Sequence, residues 1–188
     1  IEKIKALRPD LVICNKEENT QRIVEELEPL APVWVSDINT LEDSLDMIRK
    51  LGVLLSVSER ASEIITMITS EADVFAHFML NRPVRKVAYL IWKKPYMAAG
   101  SDSFIHELLK LNKFQNIIVE TRYPEVSVSV LKEADLILLS SEPYPFKEKD
   151  ARELEALTGK EVRLVDGEFF SWYGSRLQAA FSYFRTLH

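Results

Sequence analysis

The chain lacks most of the motifs that enzymes and nucleic-acid-binding proteins depend on. It has only five glycines in 188 residues and no glycine-rich phosphate loop, which argues against a nucleotide cradle. It has no nucleophile elbow and no zinc-type histidine pair. The histidines, which are widely scattered, are His77, His106 and His188. The net charge is −5 and no basic stripe alternates with aromatic residues, so a nucleic-acid partner is not expected. The sequence favours a binding protein over an enzyme, with no resident cofactor or metal.

Cysteine and long apolar runs are scarce as well. The only cysteine is Cys14, at the end of the apolar run Leu11-Val12-Ile13, so an intramolecular disulfide is impossible and a buried thiol is expected. No apolar run approaches the roughly 18 residues of a transmembrane helix. Ile1-Glu2-Lys3-Ile4 resembles the middle of a charged helix more than a signal peptide. We therefore expect a fragment of a longer protein, whose compartment this terminus leaves open.

Apolar runs alternate with helical patterns along the whole chain. Strands are predicted at residues 11–14, 32–35, 87–92, 136–139 and 162–165, with helices between them. This alternation is typical of parallel βαβ units. Thr40 is expected to cap a helix that ends near Gly52. The composition, 47% hydrophobic and 28% charged, is typical of a soluble globular protein.

One helical segment, between Leu51 and Pro83, is unusually long. Ser56 and Glu59 are placed to form a capping box at its start, and Pro83 ends it. Residues 57–81 would span roughly 37 Å. Its apolar residues, spaced mostly by three or four, are Ile64, Ile65, Ile68, Phe75, Phe78 and Met79. We interpret it as a rigid link between two lobes; the alternative is an ordinary crossover helix. The predicted domains are a first lobe at 1–55, the linking helix at 56–82 and a second lobe at 83–188.

Three motifs, in this order along the chain, resemble the class III substrate-binding proteins of ABC importers. The first runs over residues 4–13 and ends in Leu7-Arg8-Pro9-Asp10-Leu11-Val12-Ile13. The second is Gly100-x-x-Ser103-Phe104-Ile105, and the third is Tyr123-Pro124-Glu125-Val126-Ser127. The resemblance implies an α/β fold of two Rossmann-like lobes joined by one long helix. Members of the group have a further strand and helix before the first motif, so the first lobe is expected to be incomplete in this chain.

Aromatic residues are expected to line the ligand cleft of such a protein. They offer broad apolar contact area and lose little rotamer entropy on binding. Ligands of open parallel sheets bind beyond the carboxyl ends of the strands. The aromatic residues at such positions are Trp92, Tyr96, Tyr123, Trp172 and Tyr173. The resemblance favours Tyr123 as a ligand contact, while covering a sheet edge is the alternative for each. Trp34, inside a strand, is expected in the core.

Two polar positions complete the predicted ligand site. Asn15 stands where the vitamin B12-binding members of the group carry a cleft tryptophan. The turn Gly100-Ser101-Asp102-Ser103 opens a helix, and free amides there would suit a phosphate or carboxylate of the ligand. The alternative for this turn, with Ser101 in it, is a simple helix cap.

The resemblance also implies that one surface glutamate in each lobe docks to the membrane permease. Glu2 matches the first, eight residues before Asp10. The second should lie near position 129, where Ser127-Val128-Ser129 has no carboxylate, so Glu125 or Glu133 would have to replace it.

The function predicted from these observations is capture of a metal chelate for an ABC permease. The ligand would be cobalamin or another corrinoid, with a ferric siderophore or haem next. A monomer, periplasmic or anchored outside the cytoplasm, is expected by resemblance. The alternative is a cytosolic metal-chelate-handling enzyme or factor on a related two-lobed fold.

Overall fold

The computed structural model describes all residues from 1 to 188, which form two compact units, Ile1–Ile38 and Asn39–His188. In the first unit, α1 (Glu2–Leu7) precedes β1 (Val12–Asn15), α2 (Gln21–Leu27) and β2 (Val33–Ser36). The two strands are parallel, with Val12 opposite Val33. Cys14 is buried, as predicted. The side chain of Thr20 caps α2 by accepting a hydrogen bond from the amide of Ile23.

The second unit contains the remaining twelve elements. It opens with the helices α3 (Leu41–Leu54) and α4 (Ser58–Met79). The following elements, in chain order, are β3 (Arg85–Trp92), β4 (Met97–Ala98), α5 (Phe104–Leu111), β5 (Phe114–Asn116), α6 (Val128–Leu131), β6 (Leu136–Ser140), α7 (Glu148–Thr158), β7 (Glu161–Val165), α8 (Glu168–Ser171) and α9 (Leu177–Arg185). Since the units meet at residues 38 and 39, α3 and α4 group with the second unit. The division at residues 55 and 82 stays a prediction.

The sheet of the second unit has the order β4-β3-β6-β7, with β5 beside the start of β3. Strands β3, β5, β6 and β7 are parallel, and only β4 runs antiparallel. Every residue of β6 is buried, since β6 lies between β3 and β7. The carboxyl ends of β3, β6 and β7 therefore lie at one side of the sheet, which we name the carboxyl edge. The predicted α/β class, with separate parallel sheets, is confirmed.

The long helix α4 has 22 residues, about 33 Å at the rise of an α-helix. Its fully buried apolar side chains include Ile68, Phe75 and Met79. The ring of Phe75 packs against Phe181 and Phe184 of α9, with centroids 5.7 and 5.9 Å away. No helix of the structure is both long enough and apolar enough to span a membrane.

The capping box predicted from Ser56 and Glu59 is wrong. Helix α4 begins at Ser58 after Val57, and no side chain caps it. Ser56 has a φ of 58° and lies in the short turn after α3, where the amide of Val57 donates to the carbonyl of Gly52. A left-handed residue just after a helix is a common C-terminal stop. Ser56 therefore ends α3 instead of starting α4.

The predicted helix end at Gly52 is also wrong, whereas the predicted cap at Thr40 is confirmed. Thr40 and Asp43 form a reciprocal capping box, with hydrogen bonds of 3.1 and 2.9 Å. Gly52 lies inside α3 and is buried, and a Cβ added there would overlap the Cβ of Ala61 in α4. Gly52 thus allows the close approach of two helices, which local sequence pattern does not reveal.

We expect Gly52→Ala to destabilise the protein although alanine favours helix. The added methyl overlaps Ala61, and such overpacking costs about 1–3 kcal/mol, more than the ~1 kcal/mol gained in helix propensity. Urea unfolding followed by circular dichroism measures the difference. Gly174→Ala is the matched control, because an added Cβ there meets nothing within 4 Å. Equal stability of the two variants would contradict the close approach.

Two histidines of the second unit, His106 and His188, are half-buried. The Nδ2 of Asn116 donates to the carbonyl of Ala99, and its Oδ1 accepts from the amide of Ile118. The atom of Asn116 that faces Nδ1 of His106, 3.3 Å away, is therefore the donor Nδ2. Nδ1 must then accept, which requires a neutral ring. Burial, followed by the charge of Lys110, lowers the pKa of His106. Burial, followed by three nearby arginines, lowers the pKa of His188.

We therefore expect the free energy of unfolding to fall as the pH drops below about 6.5, the ordinary histidine value. A lowered folded-state pKa means that the unfolded chain binds the proton first, so stability present above that value is lost in acid. Urea unfolding at several pH values from 7.5 to 5 measures this. His106→Gln should weaken the pH dependence, because it removes one of the two rings. A His106→Gln variant with the wild-type pH dependence would refute the role of that ring.

Candidate ligand-binding site

An aromatic cluster stands at the carboxyl edge of the second sheet, on the loops after β3 and β6. The ring of Trp92, which is 40% exposed, lies edge-on to Tyr144 with centroids 5.6 Å apart. Tyr144 in turn packs edge-on against the buried Phe146 at 4.7 Å. The predicted position of Trp92 at the end of its strand is thus observed. Tyr144 was missed, although it follows a buried strand as Trp92 does.

Trp172, after α8, is 54% exposed and is held by a polar contact. Its indole N–H donates to Oε1 of Glu142 over 3.0 Å. Glu142 follows β6, and Gly167 follows β7. A Cβ on Gly167 would overlap Ser140 Oγ and Glu142 Cγ, so the close approach of the ends of β6 and β7 depends on this glycine. The amide of Gly167 also donates to Ser141 Oγ over 2.9 Å. The two strand ends are therefore joined directly beneath the exposed indole.

Tyr173 directly follows Trp172 in the chain and is half-buried. The ring lies edge-on to Phe104, the first residue of α5, with centroids 5.6 Å apart. Its carbonyl oxygen accepts a 2.6 Å hydrogen bond from Ser44 Oγ of α3. The structure therefore places Trp172 and Tyr173 as predicted, between the last strand and the last helix, and fixes them by separate contacts.

Tyr96 and Lys93 lie in the turn between β3 and β4. Tyr96 is half-buried against the core, and this burial raises the pKa of its hydroxyl, which stays protonated at neutral pH. Lys93 Nζ donates to Asp150 and Glu153 of α7, over 2.8 and 2.7 Å. These hydrogen bonds raise the pKa of Lys93, so the ammonium stays charged. Lys93 was missed because its partners are 57 and 60 residues away in the chain.

Tyr123 lies on the loop before α6, next to the turn that precedes β4. The guanidinium of Arg122 lies 5.5 Å from the centroid of the Tyr123 ring. Glu125 pairs with Met97 in an isolated antiparallel bridge, and the amide of Val126 donates to the carbonyl of Tyr96. The loops that carry Tyr96 and Tyr123 are therefore joined through their main chains.

The expectation of free amides in the turn before α5 is wrong for its first two residues. The amide of Gly100 donates to the carbonyl of Arg122 over 2.7 Å, and that of Ser101 to the carbonyl of Glu120 over 2.8 Å. The hydroxyl of Ser101 donates to Val119 and Glu120 carbonyls as well. Residues 119–122 run alongside the turn and use its donors. Ser103 caps α5 through the amide of His106, and Ser101 as a ligand contact stays a prediction.

The predicted residues of the first unit have local roles. Asn15 is the last residue of β1. Its Oδ1 accepts from the amide of Glu18 over 2.8 Å, and its own amide donates to Asn19 Oδ1. Glu2 is 85% exposed at the side chain and pairs with Lys5 over 2.9 Å, a hydrogen bond that lowers the pKa of Glu2. The ligand role of Asn15 and the docking role of Glu2 stay predictions.

The predicted docking region of the second unit has an exposed carboxylate in Glu125 and an exposed serine pair. The hydroxyls of Ser127 and Ser129 are 2.6 Å apart, and Ser127 caps the short helix α6 through the amide of Val130. Docking through Glu125 stays a prediction.

Known proteins resemble this chain both in sequence and in fold. The family model of the periplasmic binding proteins matches residues 1–155. The vitamin B12-binding protein of Salmonella paratyphi A is 28% identical over 131 residues, 69% of this chain and 49% of that protein. The chain spans about half the length of the curated relatives it matches.

Two solved structures illustrate the fold. The periplasmic vitamin B12-binding protein of Vibrio cholerae matches with a TM-score of 0.78 at 20% identity, over 98% of this chain and 76% of that one. The periplasmic haem-binding protein of Vibrio cholerae matches with a TM-score of 0.78 at 19% identity, over 100% and 80%. At these identities the likeness shows the fold. The resemblance inferred from the three motifs is confirmed, and this chain belongs to the periplasmic binding protein family.

Proposed function

We propose that this chain is part of the substrate-binding component of an ABC importer, and that it captures a metal chelate and delivers it to a membrane permease. The observation that carries the proposal is the carboxyl edge of the second sheet, where Trp92, Tyr144 and Trp172 present exposed or half-buried rings. Membership of a family of non-enzymatic carriers supports it. We assign no catalytic residue and propose no resident cofactor.

The ligand we propose first is cobalamin or another corrinoid, followed by haem and ferric siderophores. A large flat chelate buries a broad, partly apolar face, and indole and phenol rings match such a face well. The relative named as a vitamin B12-binding protein, 28% identical, favours the corrinoid. The haem-binding neighbour in Vibrio cholerae supports haem as the next candidate.

The rings that we propose to contact the ligand differ in how firmly they are held. Trp172 is anchored by Glu142 and Trp92 by Tyr144, so both are oriented before a ligand arrives. Tyr123, Tyr96 and Tyr173, with Asn15 and Ser101, are proposed as further contacts. Rings that are already oriented lose less entropy on binding, which favours affinity.

The remaining proposals concern partners and location. Glu2 and Glu125 are proposed to dock to the permease, since two exposed carboxylates far apart in sequence would set orientation more than affinity. We propose that the protein is a monomer. We also propose that it lies outside the cytoplasm, as the name of the family suggests. The alternative of a cytosolic chelate-handling enzyme receives no support from the proteins that this chain resembles.

We expect the intact protein to bind at least one of cyanocobalamin, haemin and a ferric hydroxamate at micromolar concentration or tighter. Binding should shift the visible absorption of the chelate and saturate at one equivalent. A spectral titration with each compound, with lysozyme as a control for non-specific uptake, measures this. No saturable shift with any of the three would contradict the proposal.

We expect Trp172→Ala and Trp92→Ala each to weaken binding of that chelate by about tenfold or more, as loss of a central aromatic contact does. Leu157→Ala is the matched control, because Leu157 is 48% exposed on α7 but away from the carboxyl edge. The same titration gives all three affinities. If both tryptophan variants bind as Leu157→Ala does, the aromatic edge is not the site.

A further inference from the structure

We propose that Ser44 is a positioning residue for the segment that carries Trp172 and Tyr173. In this role it orients the two rings through the main chain and does not touch the ligand. The inference rests on the proposed function, because the rings matter only if the carboxyl edge binds a ligand.

The contact joins two distant parts of the chain. Ser44 is completely buried, and its Oγ donates to the carbonyl oxygen of Tyr173 over 2.6 Å, across 129 residues of sequence. This is at the short end of the range for hydroxyl hydrogen bonds. A buried hydroxyl without a partner is costly, so the bond to Tyr173 explains why a polar side chain is tolerated on this face of α3.

The donor lies on a firmly held helix. The capping box of Thr40 and Asp43 fixes the first turn of α3, and Asp43 directly precedes Ser44. The close contact of Gly52 with Ala61 fixes its other end against α4. Ser44 therefore presents its hydroxyl from a well-defined position.

The acceptor lies in a segment that has no regular structure of its own. Helix α8 ends at Ser171 and α9 begins at Leu177, and the backbone of Trp172 is extended, with φ −97° and ψ 104°. A carbonyl just beyond a short helix has no helical partner. The hydroxyl of Ser44 supplies a partner for that of Tyr173.

The hydrogen bond from Ser44 differs from the other contacts that hold Trp172 and Tyr173. The bond from Trp172 to Glu142 is exposed, and the contact of Tyr173 with Phe104 is between side chains. The bond from Ser44 comes from a completely buried side chain and reaches the main chain of the segment itself. Loss of this bond should therefore release the backbone of both ring-bearing residues, which lowers the preorganisation of the site.

The test compares Ser44→Ala with the wild type labelled with 5-fluorotryptophan, whose three tryptophans are Trp34, Trp92 and Trp172. We expect the fluorine resonance of Trp172 to shift or broaden, while those of Trp34 and Trp92 stay in place. For whichever of cyanocobalamin, haemin and the ferric hydroxamate the wild type binds most tightly, we expect the dissociation constant to rise about threefold to tenfold, the range for loss of one ordinary hydrogen bond.

Thr158→Val is the matched control. It removes another buried hydroxyl that donates to a main-chain carbonyl, from Thr158 to Leu154 over 2.7 Å, in α7. If the effect of Ser44→Ala were only a general loss of stability, the control would show the same change at Trp172. We expect the control to leave the Trp172 resonance and the dissociation constant unchanged.

The outcomes separate the two proposals. An unchanged Trp172 resonance in Ser44→Ala overturns the positioning role, and so does a shifted resonance with undiminished affinity for the chelate that the wild type binds most tightly. A wild type that binds none of cyanocobalamin, haemin and the ferric hydroxamate overturns the proposed function instead. A shifted resonance with weakened binding of that chelate, absent from Thr158→Val, supports the positioning role.

Discussion

The parallel pairing of β3, β6 and β7 is the constraint on which the second unit depends. Every residue of β6 is buried and both edges of β6 are hydrogen-bonded, so its direction and register fix those of its neighbours. Because the pairing is parallel, the loops after all three strands emerge at one edge. Trp92, Tyr144 and Trp172 lie at or after the ends of these strands, at that edge.

An edge that exposes aromatic rings needs other contacts to keep them from collapsing onto the core. Some of those contacts are polar. Lys93 bonds to Asp150 below the turn that carries Tyr96, and Glu142 holds the indole of Trp172. A polar contact fixes direction, since a hydrogen bond weakens when it is bent, whereas apolar packing leaves a ring free to slide. The site therefore combines apolar faces for contact with polar ties for orientation.

The sequence predicted most of this fold but little of the polar support of the site. Apolar runs and helix caps are local signals, so the strands and the cap at Thr40 could be found. Strands β4 and β5 have only two and three residues, too few for a periodic pattern. Ser56 and Gly52 were misassigned because the close approach to Ala61 is a tertiary contact. The aromatic residues could be predicted because they lie near strand ends in the sequence. The roles of Lys93 and Ser44 could not, because their partners are far away in the chain.

The use of Asn15 bears on where ligand selectivity resides. By the resemblance, vitamin B12-binding members of the group carry a tryptophan at this position. Here the side chain oxygen of Asn15 accepts from the amide of Glu18 and closes the loop after β1. A side chain bound to its own loop offers little apolar area to a flat chelate. In the proposed function, the exposed indoles of Trp92 and Trp172 in the second unit would supply apolar area of that kind.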